Sequence, residues 1–346
     1  MKLAMALRVS PEQGGVSMDL VWEAERLGYE AVWAGEAYGT DAVTPVAWVL
    51  ARTSRIKAGT SIMQMPARTP ACAAMTAMTL QALSGNRFLC GIGPSGPQVV
   101  EGWHGVPFGK PLTRTREYIA IIRQILAREA PLEHHGEHYQ IPYTGPSSTG
   151  LAKPLRSIVH GNPDLKIYTA AISPAGLRTA GEVADGVLPY FMSPEKADAI
   201  VRPIMEGRSR AGRPRSLEDF DNAPYVRICM GDDLSACRDA LRPGLALYIG
   251  GMGARGVNYY NDLCQRLGYE AAAHSIQEHF LAGRRREAAA AVPDSLIDEI
   301  SLVGSKYRIR DRIQAWQDIA RDHFIGSMVL VGAGVDELRV VAETVL

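Results

Sequence analysis

The sequence predicts an α/β fold, a (β/α)8 TIM barrel of parallel strands with inserted segments at its C-terminal mouth. Short apolar runs alternate with amphipathic stretches along the chain, and eight of these runs have the composition of strands. No change of composition marks a domain boundary. We therefore expect one domain over residues 1–346, with insertions at roughly 130–163 and 245–325.

The first half of the chain supplies four strand–helix units. Its first and third helices end at Gly28 and Gly85, and glycine is common at a helix C-terminus. Its fourth helix carries Tyr118, Ile121 and Ile125 on one face. The predicted strands are 3–9, 31–36, 56–63 and 87–93, and the predicted helices are 18–28, 42–54, 70–85 and 113–129.

The second half continues this pattern after an irregular stretch at 130–163. A long helical region begins at Asp233, extends to about residue 290 and is interrupted by a glycine-rich segment. Eight strands in this order fit a single barrel better than two doubly wound domains. The predicted strands are 165–173, 186–191, 223–231 and 326–334, and the shorter helices are 174–184, 193–208 and 335–345.

The third strand contains a break. In the segment IKAGTSIM, the residues Gly59, Thr60 and Ser61 interrupt an apolar run that then resumes. A break centred on glycine inside a buried strand is typical of a bulge, or of a close backbone approach to another group. We expect one of these at this position.

Composition argues against several classes of function. The chain has 37 Lys plus Arg and 37 Asp plus Glu, so its formal net charge is zero. This balance argues against a nucleic-acid surface and against polybasic membrane binding. The five cysteines are scattered and never spaced Cys-x-x-Cys, which favours free thiols. The N-terminal apolar segment is too short for a secretory signal, and no apolar run is long enough for a membrane span, so we expect a cytoplasmic protein.

Two segments, 91–96 and 251–256, have the spacing G-x-G-x-x-G. Neither fits a dinucleotide-binding fingerprint. Pro94 and Pro97 remove backbone donors from the first, and the second does not follow a strand–turn–helix unit at the start of the chain. We expect both to be glycine-rich loops at the barrel mouth, one of them in contact with a flat ligand.

The segment EHHGEHYQIP, residues 133–142, is rich in histidine. His134 and His135 are adjacent, and adjacent side chains of a strand point to opposite faces. Gly136 then suits a turn, so a hairpin is favoured over a metal site. We therefore expect no metal centre here.

Polar side chains follow strands two and four, at the strand ends where barrels carry catalytic groups. Glu36, Tyr38 and Asp41 come after strand two, and His104 comes after strand four. These four residues are candidate proton donors. The alternatives are an ion pair between Glu36 and an arginine of a neighbouring strand, and a structural role for His104.

The helix after strand five begins with SPAGL. Ser173 is a predicted N-cap and Pro174 suits the first turn, while Ala175, Gly176 and Leu177 follow with N–H groups that could be free. Such N–H groups and the helix dipole together favour an anion. Plain capping without a ligand is the alternative.

Five segments together resemble one family, in order and over nearly the whole chain. They are AERLGYEAVWAGEAYGTDA, IKAGTSIMQMPARTPA, LSGNRFLCGIGPSGPQVVEGWHGVPFGKPLTRTREYI, EVADGVLP and LALYIGGMGARGVNYYND. The chain resembles the luciferase-like oxidoreductases of the bacterial luciferase superfamily, and within them the actinobacterial branch that depends on coenzyme F420. The resemblance implies a (β/α)8 barrel with F420, or alternatively FMN, at its C-terminal mouth.

The resemblance also implies roles for particular residues. The bulge of strand three would carry a non-prolyl cis peptide bond between Ser61 and Ile62. Thr60, Ser61 and Ile62 would then lie behind the central ring of the cofactor. Two further sets would contact the cofactor, one at its ring and one at its phosphate: Gly93, Pro94 and Ser95 at the ring, and Ser173, Ala175, Gly176 and Leu177 at the phosphate.

The sequence departs from the family at one position. Several relatives carry an acidic residue followed by a catalytic histidine after strand two, whereas this chain has Glu36-Ala37. Glu36, Tyr38, Asp41 and His104 remain the candidate proton donors.

The resemblance implies an F420-dependent oxidoreductase. It would transfer a hydride between C5 of the deazaflavin and a small organic substrate, which could be a ketone, enone, imine or alcohol. One alternative is an FMN-dependent monooxygenase with a flavin reductase as partner, and another is a flavin-binding protein without turnover. A homodimer or homotetramer is expected.

Overall fold

The computed structural model describes residues 1–7 and 15–346. Residues 8–9, the end of the predicted first strand, lie outside the described residues. The strands are short and their side chains are mostly buried. In chain order they are β1 (Lys2–Ala6), β2 (Ala31–Ala34), β3 (Lys57–Thr60), β4 (Met63–Gln64), β5 (Phe88–Gly93), β6 (His134–His135), β7 (Gln140–Ile141), β8 (Ile167–Thr169), β9 (Gly186–Val187), β10 (Asp221–Asn222), β11 (Tyr225–Met230), β12 (Ser301–Gly304) and β13 (Ser327–Val331).

Helices follow most strands, and proline in the first turn begins several of them, where its missing N–H costs no helical hydrogen bond. A 3₁₀ turn (Met65–Ala67) follows β4, and a π-helical turn (Leu247–Gly251) follows α8. The helices are α1 (Met18–Leu27), α2 (Val43–Arg52), α3 (Pro70–Ser84), α4 (Pro97–Gly102), α5 (Pro111–Ala127), α6 (Pro174–Val183), α7 (Asp198–Arg210), α8 (Leu234–Ala246), α9 (Tyr259–Arg266), α10 (Glu270–Leu281), α11 (Arg285–Ala290), α12 (Asp294–Ile300), α13 (Lys306–Arg321) and α14 (Val335–Val345).

The strands of the main sheet pair in parallel and are arranged in a ring. From β1 it proceeds through β2, β3, β5 and β8 to β9, and on the other side from β1 through β13 to β11. The segment 221–230 joins the two ends, because β10 pairs with β9 and β11 pairs with β13. Tyr225 also pairs with Tyr190, just after β9. The predicted barrel is confirmed.

The barrel has an inner and an outer apolar layer. Along β1, Leu3 and Met5 pack in the large cluster that includes the helices, whereas Ala4 belongs to the inner cluster. This alternation follows from the period of two in a strand. The inner cluster contains Ala4, Ala31, Trp33, Ile62, Leu89, Tyr168, Leu188, Ala223 and Val329.

Trp33 and Tyr168 are the large side chains of the inner layer. Their ring centroids are 5.0 Å apart in an edge-to-face arrangement. Trp33 has room because residue 59 is glycine, since a Cβ atom there would lie 2.5 Å from the indole. Both aromatic residues also line a cavity of about 370 Å³ at the N-terminal ends of the strands, opposite the mouth.

The structure corrects some predicted boundaries. Strand β12 and helix α13 lie in the region 245–325, for which no strand is predicted, and β12 pairs with β11 outside the barrel ring. Predicted strands 165–173 and 186–191 shorten to 167–169 and 186–187, because their last residues turn into the mouth loops. No helix among the described residues is long and apolar enough to cross a membrane.

Candidate functional site

Strand three contains a bulge of one residue. Gly59 pairs with Leu89, and Met63 pairs with Ile92, so four steps along strand three match three along β5. The predicted bulge is therefore confirmed. The peptide bond between Ser61 and Ile62 is cis, as the family resemblance implies.

Thr60 and Gly91 hold the bulge against β5. The Thr60 hydroxyl donates to the Gly91 carbonyl at 2.6 Å and accepts from the Gly91 N–H at 3.1 Å. A Cβ atom at position 91 would lie 1.8 Å from the Thr60 carbonyl oxygen, and one at position 93 would lie 2.8 Å from the Ile62 side chain. The first two glycines of the 91–96 segment are thus required by their close approach to the bulge.

The loop after β5 lies beside the bulge. Pro94 and Ser95 are half-buried, and Ser95 has a left-handed backbone conformation with φ of 61°. Gly93 is buried against Ile62. The structure thus brings together the strand-three and strand-four residues that the family resemblance assigns to the cofactor ring.

Glu36 is the acceptor at the centre of a hydrogen-bond network. Its carboxylate accepts from both terminal nitrogens of Arg68, at 2.7 and 2.9 Å, and from the N–H groups of Gln64 at 2.8 Å and Ala42 at 3.3 Å. Its side chain is 8% exposed and that of Arg68 is 17% exposed. Glu36 forms an ion pair with an arginine, although Arg68 follows the 3₁₀ turn and is not on a strand. Its carboxylate is therefore occupied by the ion pair with Arg68 and by structural hydrogen bonds.

Gln64 connects this network to His104. Its side-chain nitrogen donates to the carbonyls of Glu36 and Ala37, both at 2.9 Å, so its side-chain oxygen is the atom that faces His104 Nε2 at 2.6 Å. An amide oxygen can only accept, so His104 Nε2 carries the proton of this hydrogen bond. In the neutral imidazole the second ring nitrogen, Nδ1, is then an acceptor.

The other two candidate proton donors are more exposed than Glu36. Tyr38 is 66% exposed. The Asp41 carboxylate accepts from the N–H and the hydroxyl of Thr44 in the first turn of α2, at 3.0 and 3.1 Å. It lies 3.8 Å from Arg68.

The N-terminus of α6 has the predicted cap. The Ser173 hydroxyl accepts from the Gly176 N–H at 3.1 Å, and the Leu177 N–H donates to the Ser173 carbonyl at 2.9 Å. Two of the three N–H groups expected to be free are therefore used within the helix, which leaves that of Ala175. Arg266 donates to the Ile172 carbonyl at 2.8 Å and places a positive charge beside this turn.

Sequence reasoning missed a cluster of aromatic rings and one arginine at the mouth. We call Tyr190, Tyr225, Arg227, Tyr248 and Tyr260 the tyrosine–arginine cluster. Tyr190 stacks on Tyr248 with centroids 4.9 Å apart and an angle of 16°. The signal in the sequence was Tyr-x-Arg on strand seven, where two polar side chains share one face of a strand that is otherwise apolar.

Burial affects the tyrosines of this cluster. It raises the pKa of the Tyr190 hydroxyl, with Arg227 opposing the rise. Burial also raises the pKa of Tyr225, whose hydroxyl lies beside Ser61. Both hydroxyls are therefore neutral donors at physiological pH.

The second glycine-rich segment has a packing role. A Cβ atom at Gly250 or Gly251 would lie 2.5 or 2.1 Å from Phe280 of α10, so glycine lets the π-helical turn approach that helix. At Gly253 a Cβ atom would lie 2.3 Å from the Val257 carbonyl oxygen. These contacts account for Gly251 and Gly253 without a nucleotide.

The histidine-rich segment forms the predicted hairpin. His134–His135 pair antiparallel with Gln140–Ile141. Glu117 of α5 accepts from the N–H groups of residues 137, 138 and 139, at 2.8, 3.0 and 3.0 Å, and so fixes the turn. Over residues 1–7 and 15–346, no group of three or more His, Cys, Asp or Glu side chains is arranged to hold a metal ion.

Comparison with known proteins agrees with this architecture. The structure of coenzyme F420-dependent tetrahydromethanopterin reductase from Methanopyrus kandleri superposes with a TM-score of 0.76 at 24% identity, covering 100% of this chain and 97% of that one. This similarity confirms the fold.

Two sequence relatives are close over most of their length. A Mycobacterium tuberculosis protein, named by inference a coenzyme F420-dependent oxidoreductase, is 42% identical over 328 residues, which are 94% of this chain and 93% of that protein. The 5,10-methylenetetrahydromethanopterin reductase of Methanopyrus kandleri is 29% identical over 311 residues, 85% of this chain and 83% of its own.

The family model described as luciferase-like monooxygenase matches residues 10–323, most of the chain. Strands β2 to β12, the bulge in strand three and the loop after β5 lie within this match. The chain therefore belongs to the luciferase-like monooxygenase family.

Proposed function

We propose that this chain is an F420-dependent oxidoreductase that moves a hydride between the deazaflavin and a small organic substrate, which is a ketone, enone, imine or alcohol. The observation that carries the proposal is the strand-three bulge packed against Gly91 and Gly93 at the barrel mouth. The names of the two sequence relatives support F420 as the cofactor.

The residues present fit a flat cofactor. A side chain at position 93 would collide with the side chain of Ile62. Because residue 93 is glycine, the Ile62 side chain can form part of the wall of the mouth. The Tyr225 hydroxyl is buried beside Ser61 of the bulge. A ring with polar edges could hydrogen-bond to it there.

Two sets of residues would hold the cofactor. Thr60, Ser61 and Ile62, with Gly93, Pro94 and Ser95, would contact the ring. The turn of Ser173, Ala175, Gly176 and Leu177 would hold the phosphate, where the Ala175 N–H and the Arg266 charge are available. When bound, F420 supplies a two-electron hydride donor or acceptor at C5.

The chain itself would supply orientation and one proton. Of the four candidate donors, Glu36 and Asp41 are engaged in structural hydrogen bonds and Tyr38 is exposed to solvent. His104 is held by Gln64 through Nε2, which fixes the ring and leaves Nδ1 for the substrate. We therefore assign the proton transfer to His104 Nδ1.

One titration tests the cofactor. Purified protein is titrated separately with F420 and with FMN, each followed by absorbance and fluorescence. We expect F420 to bind at micromolar concentration or below, and FMN to bind at least about tenfold more weakly. Tight FMN binding with negligible F420 binding would instead support a luciferase-like monooxygenase with a reductase partner, which the family's name favours.

Turnover separates an enzyme from a cofactor-binding protein. The F420-loaded protein is screened against ketones, enones, imines and alcohols by the change in F420 absorbance. Cofactor binding without turnover in the whole panel would contradict the proposal. We further propose a cytoplasmic homodimer or homotetramer, in keeping with the five free cysteines and with the family resemblance.

A further inference from the structure

We propose that the tyrosine–arginine cluster binds the substrate and selects an organic acid, a carboxylate carried on a flat unsaturated body. The inference rests on the proposed function, because it names the substrate class of the same mouth. Arg227 is the recognition residue, and the rings of Tyr190 and Tyr248 are the wall for the flat body.

Arg227 lies where a substrate would meet it. Tyr225 packs against the inner cluster of the barrel, and Arg227, two residues further along β11, shares its face. Two residues advance a strand by about 6.6 Å toward its carboxyl end. Since Tyr225 is at the level of Ser61, Arg227 is nearer the opening, above the region assigned to the cofactor.

The charge of Arg227 has no counter-ion in the part of the chain that the structure describes. Its Nε atom is buried and has no hydrogen-bond partner there, and its guanidinium lies near the rings of Tyr190 and Tyr248 and beside the Tyr190 hydroxyl. The half-buried Arg68 and Arg123, by contrast, each face a carboxylate. A half-buried cation without a counter-ion has its charge only partly compensated, so an anionic ligand would stabilise it.

The fold makes room for this guanidinium. Position 244, inside α8, is glycine, and a Cβ atom there would lie 3.1 to 3.2 Å from the Arg227 guanidinium atoms. Glycine in a helix costs about 1 kcal/mol relative to alanine. Gly244 nevertheless follows Pro243 inside α8, and the Arg227 guanidinium occupies the space that a side chain at position 244 would need.

The aromatic rings define the shape of the ligand. The guanidinium carbon of Arg227 lies 5.7 Å from the Tyr190 ring centre and 5.9 Å from that of Tyr248, and these two rings are nearly parallel. Tyr190 and Tyr248 are both partly exposed. A planar body can stack on such rings while its carboxylate meets the guanidinium fork, which matches a carboxylate in a bidentate way.

The experiment uses trans-cinnamate and its neutral methyl ester as probes, titrated by calorimetry into the F420-loaded and cofactor-free protein. We expect cinnamate to bind at least about tenfold more tightly than the ester. Arg227→Met should remove this preference and leave the binding of the ester unchanged. Arg227→Lys keeps the charge but loses the two-donor geometry of the guanidinium, so it should retain part of the preference for the acid. Arg202→Met, at an exposed position of α7, is the control and should behave as wild type.

Three results would overturn the inference: equal affinity of wild type for acid and ester, an unchanged preference in Arg227→Met, or a loss of F420 affinity in Arg227→Met as large as the loss for cinnamate. If Arg227→Met does not fold, as judged by circular dichroism, the Arg227→Lys titration decides. Failure of the proposed function would give a different result. The wild type would not bind F420, but the cofactor-free protein would still prefer cinnamate to its ester.

Discussion

Glu36 shows why the role of a single side chain is hard to predict from sequence. It follows a barrel strand, which is the expected position of a catalytic group. Its partner Arg68 is 32 residues away and reaches it only because strand three bulges and then turns through residues 65–67. The possibility of an arginine partner could be anticipated, but the number of donors that converge on Glu36 could not.

For His104 we propose the opposite, a catalytic role instead of a structural one. A lone histidine in a sequence is more often structural, yet here Gln64 determines which ring nitrogen carries the proton. The amide of Gln64 is itself fixed by two carbonyls. The combination leaves one ring nitrogen available, a property that no local sequence pattern contains.

We expect His104→Ala to lower kcat about 100-fold while leaving the F420 affinity unchanged, because the proton transfer is lost and the cofactor contacts remain. Steady-state kinetics with the best substrate of the panel measures this effect. Added imidazole should restore part of the rate, which it would not do for a residue with only a structural role. His135→Ala, on the exposed hairpin, is the matched control. An unchanged kcat would refute the assignment.

At the scale of the element, the strand-three bulge was predictable because its cause is local. Gly59, Thr60 and Ser61 break an apolar run, and the structure has the extra residue there. Only the Tyr225 and Arg227 part of the tyrosine–arginine cluster has a signal in the sequence, since β11, α9, the π-helical turn and the segment after β9 each supply a part of the cluster. Such a cluster depends on the relative placement of elements that are distant in sequence.

We expect Gly91→Ala to lower the free energy of unfolding by about 3 kcal/mol, because the new methyl group would meet the Thr60 carbonyl and force the two strands apart. Urea denaturation followed by fluorescence gives the value. Gly102→Ala is the control, since a Cβ atom there meets nothing within 4 Å, and it should be neutral or stabilising by up to about 1 kcal/mol. Equal stabilities of the two variants would contradict the packing argument.

At the scale of the whole molecule, the alternation of strands and helices was sufficient to predict the barrel. Strand β12 was missed because it is four residues long and lies directly between helices α12 and α13. Its four residues are too few for a periodic pattern to emerge. The closure of the ring by residues 221–230 likewise depends on long-range pairing.

Asp221 lies at that closure and makes stability depend on pH. Burial raises its pKa, although the hydroxyls of Ser327 and Tyr168 donate to it at 2.9 and 3.0 Å and oppose the rise. The folded state therefore keeps the proton at pH values where the unfolded chain has lost it. Between the ordinary aspartate pKa of about 3.9 and the raised value, this group makes stability fall as pH rises.

We expect Asp221→Asn to remove this contribution. The free energy of unfolding of the wild type, measured from pH 4 to pH 7.5, should decline relative to that of the variant as pH rises. Asp311→Asn, on the exposed face of α13, should follow the wild type. Parallel curves for wild type and Asp221→Asn would show that the carboxyl titrates alike in the folded and unfolded states.

The pair Trp33 and Tyr168 has a kinetic consequence. Among the described residues these rings pack together in the inner layer of the barrel and line the cavity at the end opposite the mouth, so we expect no passage between that cavity and the mouth. Both participants in a turnover must then use the same opening. If the cofactor lies against the bulge and the substrate lies nearer the opening at Arg227, a bound substrate blocks the path of the cofactor. The cofactor therefore binds before the substrate and dissociates after the product.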